Sequence, residues 1–277
     1  MAPRASHRLS DTRQNRPWRR RPVPSHTARP NALPTVTAAA FAPLPAAEAF
    51  APILRSGRWF AQLPPDFAQA LLALGQLRQL HAGEVLFLRG DAPCGLYAVV
   101  RGAVSISGTG GRADEARAAL LIRLEPPHWF GEISVFDNSA RTHDAHATEA
   151  TTLLHVPHER LQQWLQAHPQ HWHALALLLT DKLRSAFVAM EELALLPAPQ
   201  RLARRLVMMA EGYGQWTAGG RSRRVIGISQ EQLSLMLAIS RQTTNQILKD
   251  LESRQLVRVQ RGEVEILDLA ALRAACY

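Results

Sequence analysis

The sequence has almost no cysteine: two in 277 residues, Cys94 and Cys276. So sparse a count excludes a disulfide framework, and it excludes a four-cysteine zinc or iron–sulfur site built by one chain. Long apolar runs are missing too. No stretch approaches the roughly 18–20 residues of a membrane helix, and no secretory apolar core lies near the start. A cytoplasmic protein with no membrane contact is the simplest expectation. Acids are also short, 23 against 32 Lys and Arg, for a net charge of +9. The imbalance is local. Residues 1–40 hold eight arginines and one acid, Asp11; residues 41–196 hold twelve basic and fifteen acidic side chains; residues 197–277 hold twelve and seven. A basic C-terminal part suits a DNA-facing domain, because neutralising phosphates supplies much of the affinity.

What that part contains is a pair of short helices within Ile228–Leu256. Ser229 is placed to cap the first, and Gln232 three residues on completes a capping box. Leu233, Met236 and Leu237 give it an apolar face at helical spacing. Ala238-Ile239-Ser240 reads as a turn, with Ser240 as N-cap of the second helix. There Thr244, Ile247, Leu248 and Leu251 fall at i, i+3, i+4 and i+7, one stripe for burial. The opposite face carries Arg241, Gln242, Asn245, Gln246 and Lys249 and has no acid before Asp250. Forked donors and amides suit the edges of guanine and adenine in a major groove. With Ser229, Ser240 and Thr243 at the helix starts, these are the candidate DNA-contacting residues. The plain alternative is a helical hairpin with a solvated outer face. Leu256–Leu267 then reads as two short strands around Gly262, with Arg258 and Arg261 on the first. Helix, turn, helix and hairpin together make a winged helix-turn-helix.

Upstream, residues 1–47 are rich in Pro, Arg, Ala and Ser and have little to bury, so a disordered basic tail is expected. Its arginines could add non-specific DNA affinity; the favoured reading is a dispensable tail or a start codon assigned too far upstream, and a transit peptide has similar composition, but nothing else supports an organelle. Glu48–Leu80 looks helical and amphipathic, with Pro64-Pro65 opening a new helix. From His81 the period becomes two, and glycines separate short runs at Glu84–Leu88, Leu96–Val100, Ala103–Ser107 and Ala118–Leu124. Strands this short indicate a small antiparallel barrel or roll. Gly108–Gly111 reads as a hairpin tip; it does not precede a helix as a phosphate loop would.

Phe130–Thr142 is the second stretch with chemistry in it. Gly131 lets the backbone approach a ligand closely. Backbone N–H groups over Ile133 and Ser134 can hold an anion, Glu132 can accept from a sugar hydroxyl, and Arg141 can grip a phosphate with its fork. The alternative is a glycine turn with an ordinary surface Glu–Arg pair. Phe-Gly-Glu-Ile-Ser followed at this distance by Arg-Thr resembles the phosphate-binding cassette of cyclic-nucleotide-binding domains. Such a domain, a long helix and a winged helix-turn-helix resemble the layout of the Crp/Fnr family of bacterial transcription regulators, over roughly residues 50–270. The resemblance implies that Glu132 meets a ribose hydroxyl, Arg141 the cyclic phosphate, and Thr142 with nearby backbone completes the cradle. It implies cyclic AMP or another cyclic nucleotide as effector. There are departures: Ala140 precedes the Arg where proline is common, His143-Asp144 follows, and Ala186-Phe187 stands where a Thr-Ser pair reads adenine. Family members reading the common operator carry Glu where this chain has Gln242 and a second Arg where it has Gln246.

Seven histidines lie between His143 and His173. His143 and His146 point to opposite faces of an expected strand, and no metal site is expected. His143-Asp144 also spells the HD pair of metal phosphohydrolases without their helical context, so no enzyme and no catalytic residue is expected. His158–Ala167 reads as a short helix and Gln170–Leu196 as a long one. In the latter Trp172, Leu179, Ala186 and Leu193 repeat every seven residues, with Ala176, Leu183 and Met190 as a second seam, a coiled-coil pattern. The alternative is a helix packed only on its own strand domain; a parallel homodimer would set two recognition helices about one DNA turn apart. Pro197-Ala198-Pro199 ends the helix as a hinge.

The expectation is therefore an α+β chain: tail 1–47, cyclic-nucleotide-binding-like β-roll 48–168, dimerisation helix 169–196 and winged helix-turn-helix 197–277. Its partners would be double-stranded DNA, a second copy and, as a candidate, RNA polymerase. Iron–sulfur sensing is not expected, since the N-terminal region has no cysteine. The competing expectation is a ligand-, metal- or redox-sensing protein whose C-terminal domain serves protein interaction.

Overall fold

The computed structural model describes residues 47–110, 117–215 and 222–276. Strands β1 (Gln76–Leu80), β2 (Val85–Phe87), β3 (Gly95–Arg101), β4 (Val104–Gly110), β5 (Arg117–Leu124), β6 (Trp129–Phe130), β7 (Asp144–Ala147) and β8 (Thr151–Pro157) form the roll. They make two antiparallel sheets, ordered β1-β8-β3-β6 and β2-β7-β4-β5. β3 shows why the chain closes on itself. Leu96, Ala98 and Val100 enter a core shared with the flanking helices, while Tyr97 and Val99 enter the core between the sheets. Successive strand residues face opposite ways, so an unbroken apolar run here is a strand covered on both faces.

Helices α1 (Ala51–Arg55), α2 (Arg58–Ala61) and α3 (Pro65–Leu74) supply one cover, burying Leu54, Phe60, Phe67 and Leu71. The amphipathic stretch expected to be helical over Glu48–Leu80 is three short helices and a strand, and α3 does open at Pro64-Pro65. Gly75 turns extended (φ −73°, ψ 144°) and ends α3. Its missing Cβ leaves room for Leu154, whose methyl would lie 2.5 Å away, and Gln76–Leu80 then pairs along β8. Gly108 and Gly110 are ladder positions opposite Ala119 and Arg117, not a tip; the hairpin end and the N-terminal tail lie outside the described residues.

After β6 come α4 (Ile133–Asp137), α5 (His158–Ala167) and α6 (Trp172–Leu195), the last entered through a 3₁₀ turn at Pro169–His171. The first half of α6 buries Leu175 and Leu178 on the roll, and Trp172, expected on the seam, packs 5.4 Å from Phe136 instead. Farther on Leu183, Phe187, Met190 and Leu193 are 53–65% exposed, so an apolar face is left open. No helix among the described residues is long and apolar enough to cross a membrane.

The C-terminal part comprises α7 (Ala198–Ala210), β9 (Val225–Ile226), α8 (Gln230–Leu237), α9 (Arg241–Ser253), β10 (Val257–Gln260), β11 (Glu263–Ile266) and α10 (Leu269–Ala274). The capping box forms as read: Ser229 Oγ accepts from Gln232 N at 3.1 Å, and Gln232 Oε1 accepts from Ser229 N at 2.9 Å. Ser229→Ala leaves the Gln232 N–H without its acceptor and is expected to cost about 1 kcal/mol, measured as a shift in the urea midpoint of unfolding. Ala238 takes the left-handed turn (φ 53°), a position glycine fills at no steric cost. The wing is three-stranded, β10-β11-β9. Arg258 lies on β10, whereas Arg261 sits in the turn with Gly262 (φ 82°). α10 was not anticipated. Asp268 caps it through Ala271 N at 2.9 Å, and Leu272 anchors it in the core.

The winged part rests on the roll. α8 packs along β5, and Arg223 forms an ion pair with Glu125.

Candidate functional site

Gly131, Glu132, Ile133, Ser134, Arg141 and Thr142 all line one cavity of about 660 Å³. Gly131 is required there. Its φ of 96° is left-handed territory, and a Cβ would sit 2.7 Å from Gly95 O and 3.0 Å from Arg141 Nη1. Glu132 is buried, and Lys182 on α6 reaches its Oε2 at 2.5 Å. The surface Glu–Arg pair is therefore not what forms: Glu132 and Arg141 each have other partners.

Arg141 is 4% exposed. Its Nη1 donates to Gly131 O at 3.0 Å, and its Nη2 lies 2.6 Å from Gly95 O and 3.0 Å from Cys94 Sγ. The guanidinium sits 4.4 Å over the Phe87 ring, and Nε has no hydrogen-bond partner among the described residues. Burying a charge without a carboxylate is costly. The carbonyls and ring offset part of that cost, and an anion would offset more. Ser134 is buried and Ile133 exposed, both on the first turn of α4. Thr142 is exposed and bonds His143 Nδ1 at 2.9 Å.

The nearby histidines do not add positive charge. Burial first, then Arg89, pushes His143 down; burial, then Arg141, pushes His158 down. The other histidines scatter: His155 stacks on Tyr97 at 4.5 Å and His168 on Trp164 at 4.3 Å, while His171 binds Asp66 at 2.9 Å. Among the described residues no three His, Cys, Asp or Glu gather as metal ligands.

The opposite wall is α6, with Lys182, Ala186 and Ala189 toward the cavity. Ala186 lines it, whereas Phe187 is 61% exposed. So the pair at the expected base-reading place splits, and neither member carries a polar side chain. Sequence reasoning missed Lys182 and Cys94, and also His128, Arg201, Arg205 and Tyr213 at the far end.

The second candidate surface is α9. Ser240 Oγ accepts from Thr243 N at 3.0 Å and starts the helix. Thr244, Ile247, Leu248 and Leu251 are buried against α8 and α7. Arg241, Gln242, Thr243, Gln246 and Lys249 are exposed, and Asn245 is half-buried. One face is therefore fixed by packing and the other is free for a groove. Ser229 is occupied by its capping box.

Comparison with known proteins gives the same two parts. Residues 77–168 match the cyclic nucleotide-binding domain and residues 200–275 the Crp-like helix-turn-helix domain. The CRP-like cAMP-activated global transcriptional regulator of Mycobacterium tuberculosis is 28% identical over 216 residues, which cover 78% of this chain and 95% of that protein. The cyclic AMP receptor protein of Thermus thermophilus is 29% identical over 219 residues, 79% of this chain and 96% of its own. Among solved structures, the c-di-GMP responsive global regulator CLP of Xanthomonas campestris superposes with a TM-score of 0.59 at 22% identity, covering 74% of this chain and all of that one. That last likeness speaks for the fold alone.

Proposed function

The chain belongs to the Crp/Fnr family of bacterial transcription regulators, DNA-binding proteins controlled by an effector, and from that premise we propose how this member works. The effector enters between roll and long helix and is anionic, a cyclic nucleotide in the first instance. Arg141 takes the phosphate, Glu132 a ribose hydroxyl, and Thr142 with the backbone of Gly131, Ile133 and Ser134 closes the cradle. One observation carries this reading: all six cassette residues face one cavity in which a buried arginine lacks a carboxylate partner among the described residues. Cyclic AMP is named by both relatives; Ala186 argues for a different way of holding the base.

The chain acts as a homodimer through the open face of α6, with functional units 48–168, 169–196 and 197–277. The exposed run Leu183, Phe187, Met190 and Leu193 supports that seam. Lys182 joins the cassette to the same helix. An effector hydroxyl competing for Glu132 loosens that link, shifts the packing of paired helices and re-spaces the two α9 helices, so effector and DNA affinities are coupled. Ser229, Ser240, Arg241, Gln242, Thr243, Asn245, Gln246 and Lys249 are the DNA-facing set. RNA polymerase is a candidate further partner, the cytoplasm the expected place, and the reading gives the chain no catalytic role.

Calorimetric titration of cyclic AMP and cyclic GMP into the full-length protein tests the effector, with Arg141→Ala beside it. Saturable binding by the native chain, lost in the variant, is expected. Binding that survives Arg141→Ala would remove the cassette from the mechanism.

A further inference from the structure

The cavity continues well past the cassette. It follows α6 from Lys182 to Leu193, roughly 16 Å at about 1.5 Å per residue. Its far end lies where the roll, α6 and the winged part meet, and besides Glu192 five side chains of the lining there hold a buried polar atom without a hydrogen-bond partner among the described residues. Arg201 and Arg205 line it from α7. Neither has a carboxylate partner among the described residues, and the Nε of each is buried without a hydrogen bond. Glu192, the α6 acid that lines the cavity, is paired with Arg204 Nε at 2.6 Å. Trp129 is 3% exposed, and its Nε1 has no acceptor among the described residues.

His128 adds a different demand. Its Nδ1 lies 2.7 Å from Glu125 O, and a carbonyl only accepts, so Nδ1 carries the proton. Nε2 is then a bare acceptor, buried and without a donor. Burial, helped by the charge on Lys182, pushes the imidazole down to about 3, so it stays neutral. Tyr213 lies edge-on to it at 6.0 Å and beside Arg205. Tyr213 also holds a left-handed backbone (φ 53°) that costs a non-glycine residue strain.

Buried polar atoms without partners are rare in folded proteins and ask for a missing one. Here the missing partner is anionic toward Arg201 and Arg205 and offers an O–H or N–H to His128. We propose that this end of the cavity is a second anion subsite, taking the phosphate or carboxylate of an effector long enough to reach there from the cassette. The effector is then two-headed and amphipathic: an anionic head at each end, with Ala186, Ala189 and Met190 along the middle. The first head competes with carbonyls already bonded to Arg141 Nη1 and Nη2; the second meets arginines that have no carboxylate partner among the described residues. This deepens the effector reading above and shares its cavity, but it stands on different residues.

The test is thermal unfolding of the full-length chain in rising pyrophosphate, with chloride matching the ionic strength. A ligand that binds only the folded state raises the unfolding temperature. The native chain should gain a few degrees, Arg141→Gln should keep most of the gain, and the pair Arg201→Gln and Arg205→Gln should lose it. If the double variant does not fold, Arg205→Lys, which keeps the charge but not the fork, should at least halve the gain. No gain in the native chain, or an equal gain in the variants of Arg201 and Arg205, overturns the subsite. Malonate in place of pyrophosphate separates carboxylate from phosphate. Failure of cyclic AMP to bind while the Arg201- and Arg205-dependent gain persists would sink the cassette reading and leave the subsite standing.

Discussion

Replacing Lys182 with methionine is expected to destabilise the roll by about 2–4 kcal/mol, near the cost of breaking a buried ion pair from one side. Methionine fits the space of the lysine stem, so packing is nearly unchanged. What changes is Glu132, which is 2% exposed and loses its ion-pair partner. The reverse change, Glu132→Gln, should cost less, because Lys182 is about a third exposed and can turn its ammonium to water. The double variant should then be more stable than the sum of the two losses predicts. Urea unfolding of all four proteins gives the coupling energy. Additive losses would show that the pair does not link cassette and helix, and the transmission route through Lys182 would have to be given up.

That link was invisible in the sequence, and the reason is general. Ser229 and Gln232 could be read as a capping box because both partners lie within one helical turn. The stripe Thr244, Ile247, Leu248 and Leu251 was legible for the same reason. Gly131, Glu132 and Arg141 stood out because a phosphate cradle is built from one short stretch of chain. Lys182 pairs with a residue fifty positions earlier, and nothing in its own helix points to that partner. His128, Arg201, Arg205 and Tyr213 meet only because the winged part settles on the roll.

Gln76–Leu80 failed in another way. Leu74, Leu77 and Leu80 continue the three-residue apolar spacing of α3, so the local signal favours helix. Tertiary pairing with β8 overrides it once Gly75 turns the chain. α10 was missed because six residues with three small alanines leave little periodicity to detect, although Asp268 was a readable cap.

Arg241→Ala is expected to weaken binding to the cognate operator by about 1–3 kcal/mol and to relax the preference at one base pair. Arg241 begins α9, is exposed, and has no ion-pair partner among the described residues, so its fork is available. Ser240 and Thr243 hold the helix start in place, and four buried residues fix the rotation of α9. The side chain therefore projects from a rigid support, which is what a bidentate contact to guanine needs. Lys249, two turns on and also exposed, is expected to behave differently. Lys249→Ala should weaken all sequences alike and lower the salt slope by about one, as the loss of a phosphate contact does. Fluorescence anisotropy with operator and scrambled duplexes at several salt concentrations separates the two. An equal loss on both duplexes for Arg241→Ala would make it a phosphate contact, and base reading would pass to Gln242 and Gln246. Those two amides suit adenine better than guanine. The operator that this face selects should then differ from one read by a second arginine.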